Sequence, residues 1–151
     1  MTAVTAELIF DAYVALVSGD RRQAVKYWAE DLRFLVPGRH AQAGWREGLD
    51  DLLAFRRALD EASGGSFTAD PVTSMINDDH SMDVVRVHAV RAGAPAGSTS
   101  PYDVLDGRSM QVFRWSEGRV VEGYAGWFGD GAINYEQWWS PIGPDGTRRD
   151  I

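Results

Sequence analysis

Apolar residues recur at helical spacing near the start of this chain. Leu8, Ile9, Ala12, Tyr13, Leu16 and Val17 share one side, and Glu7, Asp11 and Ser18 take the wetter one. The pattern predicts a helix closed at Gly19. Asp20 then caps a second helix, with Gln23 in the reciprocal position of a capping box. Ala24, Tyr27 and Trp28 form the buried stripe of that second helix, which ends in the acidic pair Glu30-Asp31. Arg33-Phe-Leu-Val36 reads as a strand broken by Pro37-Gly38. A third helix is predicted from about Arg46, with Leu49, Leu52, Leu53 and Leu59 inward, stopping at Gly64-Gly65.

After Gly65 the period changes to two. Ser66 to Ile76 reads as a strand interrupted at Pro71, and Asn77-Asp78-Asp79 as a turn. Met82 to Arg91 is a long strand, and Ala92 to Gly107 a loop rich in Gly, Pro and Ser. Ser109–Trp115 and Arg119–Phe128 form a hairpin across Ser116-Glu117-Gly118. Helices followed by a strand meander predict an α+β fold, its helices packed on one face of a curved antiparallel sheet. The tail from Pro141 is Gly/Pro-rich and charged, so it is expected to be flexible or to lie over a neighbour.

Composition narrows the function. At 151 residues and 44% hydrophobic content the chain makes a single domain with a real core. Six Trp, five Tyr and six Phe suit an interior lined with rings. A formal charge of −7 argues against nucleic-acid or anionic-membrane partners. With no cysteine, disulfides, thiolate catalysis and Cys-ligated metals are excluded. The opening residues lack a basic, continuously apolar signal, and no apolar run approaches membrane-spanning length, so a cytoplasmic protein is expected.

Generic catalytic motifs are absent, among them the Gly-x-Ser-x-Gly elbow, the Walker loop and His-Glu-x-x-His. The three histidines, His40, His80 and His88, are scattered. On the long strand Val84, Arg86, His88 and Val90 share one face, and Val85, Val87 and Ala89 the other. A cation and an imidazole among valines need a partner when buried. The pattern alone leaves open whether their face meets a pocket or solvent.

Tyr13-Val-Ala-Leu-Val-Ser-Gly19-Asp20, the following Val25-Lys-Tyr-Trp-Ala-Glu-Asp and the strand before Pro37 resemble the opening of the SnoaL-like and ketosteroid-isomerase-like members of the nuclear-transport-factor-like superfamily. The resemblance implies a curved antiparallel sheet wrapped around N-terminal helices, a cone with an internal pocket described as a cystatin-like α+β barrel. It places Tyr13 as a hydrogen-bond donor to a substrate oxyanion. The general-base aspartate of ketosteroid isomerases falls at Val36, and their second donor, a protonated aspartic acid, at Gln111. The histidine and acid/base aspartate of SnoaL-like cyclases fall at Gly123 and Ala125. Epoxide hydrolases of the limonene type carry Arg-x-Asp where this chain has Arg86-Val87-His88, which favours the pocket reading of that face.

The resemblance therefore implies an enzyme of the cyclase or isomerase type, acting without a cofactor on a hydrophobic oxygenated metabolite of secondary metabolism. Its candidate catalytic set is His88 as general acid/base, tuned by Arg86, with Tyr13 as donor. Gln111, Trp28, Phe113, Trp115, Trp127 and His40 are its candidate substrate-binding residues, and no metal ligands are expected. Gly123 and Ala125 should leave the cone open. The alternatives are a protein that binds a hydrophobic ligand without turning it over, or an epoxide-hydrolase-like enzyme with an altered acid/base set. A homodimer is expected through an outward sheet face carrying Val85 and Val87. Trp138-Trp139 would seal the base of the cone or a dimer contact.

Overall fold

The computed structural model describes residues 2–149. Among these, α1 (Ala6–Val17), the one-turn α2 (Arg21–Ala24), α3 (Leu49–Ser63) and α4 (Gly131–Trp139) pack against one sheet. Its strands are β1 (Trp28–Val36), β2 (Gly44–Glu47), β3 (Thr68–Asn77), β4 (His80–Val90), β5 (Val104–Ser116) and β6 (Arg119–Trp127), in the spatial order β2-β1-β6-β5-β4-β3. The sheet curves without closing. It is also not wholly antiparallel, because β1 runs parallel to β6.

Local chemistry sets most boundaries. Thr5 caps α1 through its side chain, and Asp20 accepts from the Arg22 N–H to start α2. α3 ends at Gly64, whose φ of 58° lets the chain reverse. Glu117 and Gly118, at φ 50° and 78°, make the two-residue β5–β6 turn that matches the twist of paired strands. β3 is an edge strand with every residue exposed, and its register slips between Pro71 and Thr73.

Four expectations need correcting. The second helix stops after one turn, because Trp28 enters β1. There its indole N–H donates to the Ala12 carbonyl at 2.9 Å, tying the strand to α1. β2 precedes α3 where helix was expected, and α4 was not foreseen. The tail folds back on its own chain. Arg149 donates to the Ser140, Gln137 and Trp138 carbonyls and pairs with Asp103 at 3.5 Å.

The core lies between the concave sheet face and the helices. Trp28, Leu32, Leu49, Leu105, Phe113, Trp138 and Trp139 are all fully buried. Burying each such side chain contributes about 1.5–3 kcal/mol. Trp138 and Trp139 meet edge to face at 5.0 Å and close one end of the concave space.

Candidate functional site

α1, α3 and the concave face enclose an apolar cavity of about 120 Å³. Trp28, Phe34, Phe55, Phe67, Trp127 and Tyr135 form its aromatic wall, with Leu16, Leu52, Leu59 and Val87 between them. Val17 and Ala69, both exposed, stand at its rim. Polar groups reach it from Tyr13, Arg56, Ser109 and Gln111. The enclosed volume is small beside the several hundred Å³ usual for ligand pockets. An occupant of any size must extend through the rim.

Tyr13 is held at the cavity wall by Trp28, edge-on at 6.4 Å, and by Phe113 at 5.9 Å. Its hydroxyl donates to Asp83 Oδ2 on β4 at 2.9 Å. Asp83 is 2% exposed, and its other oxygen, Oδ1, is buried without a hydrogen-bond partner. Burial pushes the Asp83 carboxyl above its ordinary pKa, against the lowering effect of the Ser74 and Tyr13 hydroxyls. Burial, then the Asp83 charge, raises the Tyr13 phenol well above its usual value. Across the sheet Ser74, Asp83, Gln111 and Ala125 stand in one inward row, which places the Gln111 amide beside the carboxyl.

The structure brings together Tyr13, Gln111, Trp28 and Trp127 of the expected set. Val36 and Ala125 also line the cavity, so the two positions at which the resemblance expected carboxylates in other members are apolar here. Arg86 and His88 are not part of it. They lie on the convex face, exposed, and Arg86 reaches Asp106 at 4.0 Å. The physical reason is the sense of the β4 alternation. Val85, Val87 and Ala89 bury the aliphatic surface that holds the helices, and the Arg86 guanidinium and the His88 ring keep their water.

Phe113 and Trp115 belong to the packed core, and the Trp115 indole is spent on the Ser81 hydroxyl at 2.9 Å. A Cβ at Gly123 would meet the Phe113 ring at 2.5 Å, so this glycine admits a ring rather than opening the cavity. His40 stacks on Trp139 at 5.5 Å outside the cavity. It lies within 2.9 Å of the Pro37 carbonyl, and burial keeps its pKa low. Val85 and Val87, at 3% exposure each, cannot form an outward dimer face.

Asp83 and Arg56 were not foreseen. Asp83 shares parity with Val85, Val87 and Ala89. A carboxylate in phase with the apolar side of a strand was the signal for it.

A curved sheet with helices across its concave side and an aromatic-walled cavity between them defines an α+β fold with an enclosed pocket. Residues 9–123 match the SnoaL-like domain, and the chain belongs to that family. An uncharacterised protein of Mycobacterium tuberculosis is 28% identical over 116 residues, covering 76% of this chain and 82% of the relative. Among solved structures, Bal32a from a soil-derived mobile gene cassette is similar at 25% identity and a TM-score of 0.76, over 89% of this chain and 95% of that one. A Xanthomonas campestris protein with a cystatin-like fold superposes at 0.73, with 16% identity over 89% and 96% of the two chains. IdmH of Streptomyces antibioticus, a candidate polyketide cyclase, superposes at 0.66 with 17% identity over 88% and 96%.

Proposed function

We propose that this chain is an enzyme of the SnoaL-like cyclase or isomerase type, acting by acid/base chemistry on a hydrophobic oxygenated metabolite of polyketide or terpenoid character. The observation that carries the reading is the Tyr13 hydroxyl bonded to a buried carboxyl with one oxygen to spare. Tyr13 faces the cavity, and its single proton is committed to Asp83. Its oxygen therefore offers lone pairs to the substrate, where the sequence comparison had implied a donor.

In the reaction, a proton leaves an activated carbon for Tyr13 Oη while the Tyr13 proton passes to Asp83 Oδ2. Burial and the Asp83 carboxylate disfavour a free tyrosinate, so the two transfers are proposed to move together. The raised carboxyl pKa brings Asp83 nearer to the range in which it can take and return that proton. The Gln111 amide would donate to the enolate oxygen that forms. Tyr13 is the catalytic group, and Asp83 acts through it.

The test follows carbon–hydrogen exchange in D2O across a panel of hydrophobic ketones and enones, read by mass spectrometry. The native chain should exchange α-hydrogens above buffer. Asp83→Asn and Tyr13→Phe should each lose about 100-fold or more. Ligands that bind without exchange would favour the second reading, a non-catalytic binding protein, which the apolar Val36 and Ala125 support.

The outward face of the sheet supports a homodimer, through residues other than those expected. Trp45, Leu35, Tyr124, Val112, Met82 and Met75 form one cross-strand row over all six strands. Trp45, Tyr124 and Met75 are 40%, 46% and 57% exposed, more apolar surface than a monomer usually leaves in one line.

A further inference from the structure

Arg56 is unlike every other residue of the cavity wall. It stands on α3 among Leu52, Phe55 and Leu59, and its side chain is 12% exposed. Its guanidinium lies 5.2 Å over the Phe67 ring. Nε and Nη1 are both buried and make no hydrogen bond. Asp60 approaches Nη1 at 3.2 Å from the solvent side, an ion pair that offsets charge without the direction of a hydrogen bond. A buried N–H left without an acceptor costs about 1–3 kcal/mol, and more on a charged group. Solvation by an oxygen in the cavity would recover that cost.

The placement gives the cavity two polar ends. Phe67 immediately precedes Thr68, which pairs with His88, so Arg56 belongs to the Val87 end of β4. Tyr13 belongs to the Asp83 end. Four residues of strand separate Asp83 from Val87, roughly 13 Å. The wall between is apolar and aromatic apart from Ser109, opposite Val85, whose hydroxyl is already donated to the Gly126 carbonyl at 3.0 Å.

We propose that the ligand of this pocket is an acidic amphiphile, with an apolar body and a single carboxylate held by Arg56, so that its oxygenated carbon lies toward Tyr13. Arg56 is the single cation of this wall and Asp60 pairs with it only from the solvent side, so its unbonded Nε–H and Nη1–H suit the oxygens of one carboxylate. A dianionic phosphoryl group would bring uncompensated charge into the same wall. The inference rests on the enclosed-substrate reading above and specifies the substrate class.

Its test is a binding measurement, independent of turnover. Straight-chain acids of six to ten carbons and their isosteric primary amides are titrated at pH 7.5, following the fluorescence of Trp28 and Trp127, which line the cavity. The acid should bind about tenfold or more tighter than its amide. Arg56→Met should abolish that preference and leave amide affinity within about threefold, while Arg56→Lys should keep part of it. Asp83→Asn should retain the preference even as it removes exchange, which separates this proposal from the catalytic one. Equal binding of acid and amide, a preference that survives Arg56→Met, or no binding of either would overturn it.

Discussion

The two faces of β4 carry the same kinds of side chain in opposite circumstances. Asp83, Val85 and Val87 face inward at 2–3% exposure, whereas Val84, Arg86 and His88 face the convex side. Each face holds charge among valines. On the convex face water solvates the charge, and it perturbs nothing. On the concave face a carboxyl has one oxygen bonded to Tyr13 and the other buried without a well-directed partner, and the proposed proton relay draws on that imbalance. The contrast shows that a polar residue on an apolar strand marks a site only once the direction of the strand's pleat is known.

The sharpest break of this comparison uses one substitution on each face. Val85→Asp would bury an unpaired charge, since Val85 is 3% exposed in the core and does not line the cavity that Arg56 faces, and should cost on the order of 4 kcal/mol or more, leaving little folded protein by circular dichroism. Val84→Asp should leave the fold intact within about 1 kcal/mol and shift the chain from dimer to monomer in sedimentation at micromolar concentration. A folded Val85→Asp protein would reverse the assignment of faces, and a native chain that sediments only as monomer would remove the dimer.

A smaller effect is expected from Asp83→Asn on stability. The Asp83 carboxyl is raised by burial, so the fold favours its neutral form. Stability from this group is therefore full below the unfolded pKa near 4 and is lost as pH rises through the raised value. Asparagine is neutral throughout. The variant should melt a few degrees higher at pH 7, the scale of roughly 1 kcal/mol, and the gain should vanish near pH 3. Thermal melts across that range check it. The smallest effect belongs to His88→Ala, which should change stability by less than about 0.5 kcal/mol and leave carbon–hydrogen exchange unaltered.

Much of the architecture was legible because its signals are local. The α1 stripe, the glycine stop of α3 and the β5–β6 turn depend on residues within a few positions of one another. The exceptions have physical causes. Ala24, Tyr27 and Trp28 fit a helical stripe by spacing, yet Trp28 is drawn into β1 by its bond to Ala12, a partner sixteen residues away. β2 has only four residues, too few to display a period. The site was partly legible: Tyr13, Gln111, Trp28 and Trp127 line the cavity, and alternation separated the two faces of β4. Nothing in alternation says which face turns inward. Asp83 went unrecognised because resemblance drew attention to Arg86 and His88.

The exposed edge formed by β3 bears on how the protein survives at high concentration. An open strand edge can recruit a strand from another molecule and begin a fibre. Pro71 supplies no N–H to such a partner, Asp70 places a charge beside it, and the register slip between Pro71 and Thr73 breaks the regularity a new strand would have to match. The second half has no such protection, since Val72, Met75 and Ile76 are 43–57% exposed. Repulsion between molecules carrying a net charge of −7 must then keep these edges apart. That barrier collapses near the isoelectric point of about 4.8, where the chain should be most prone to assemble edge to edge.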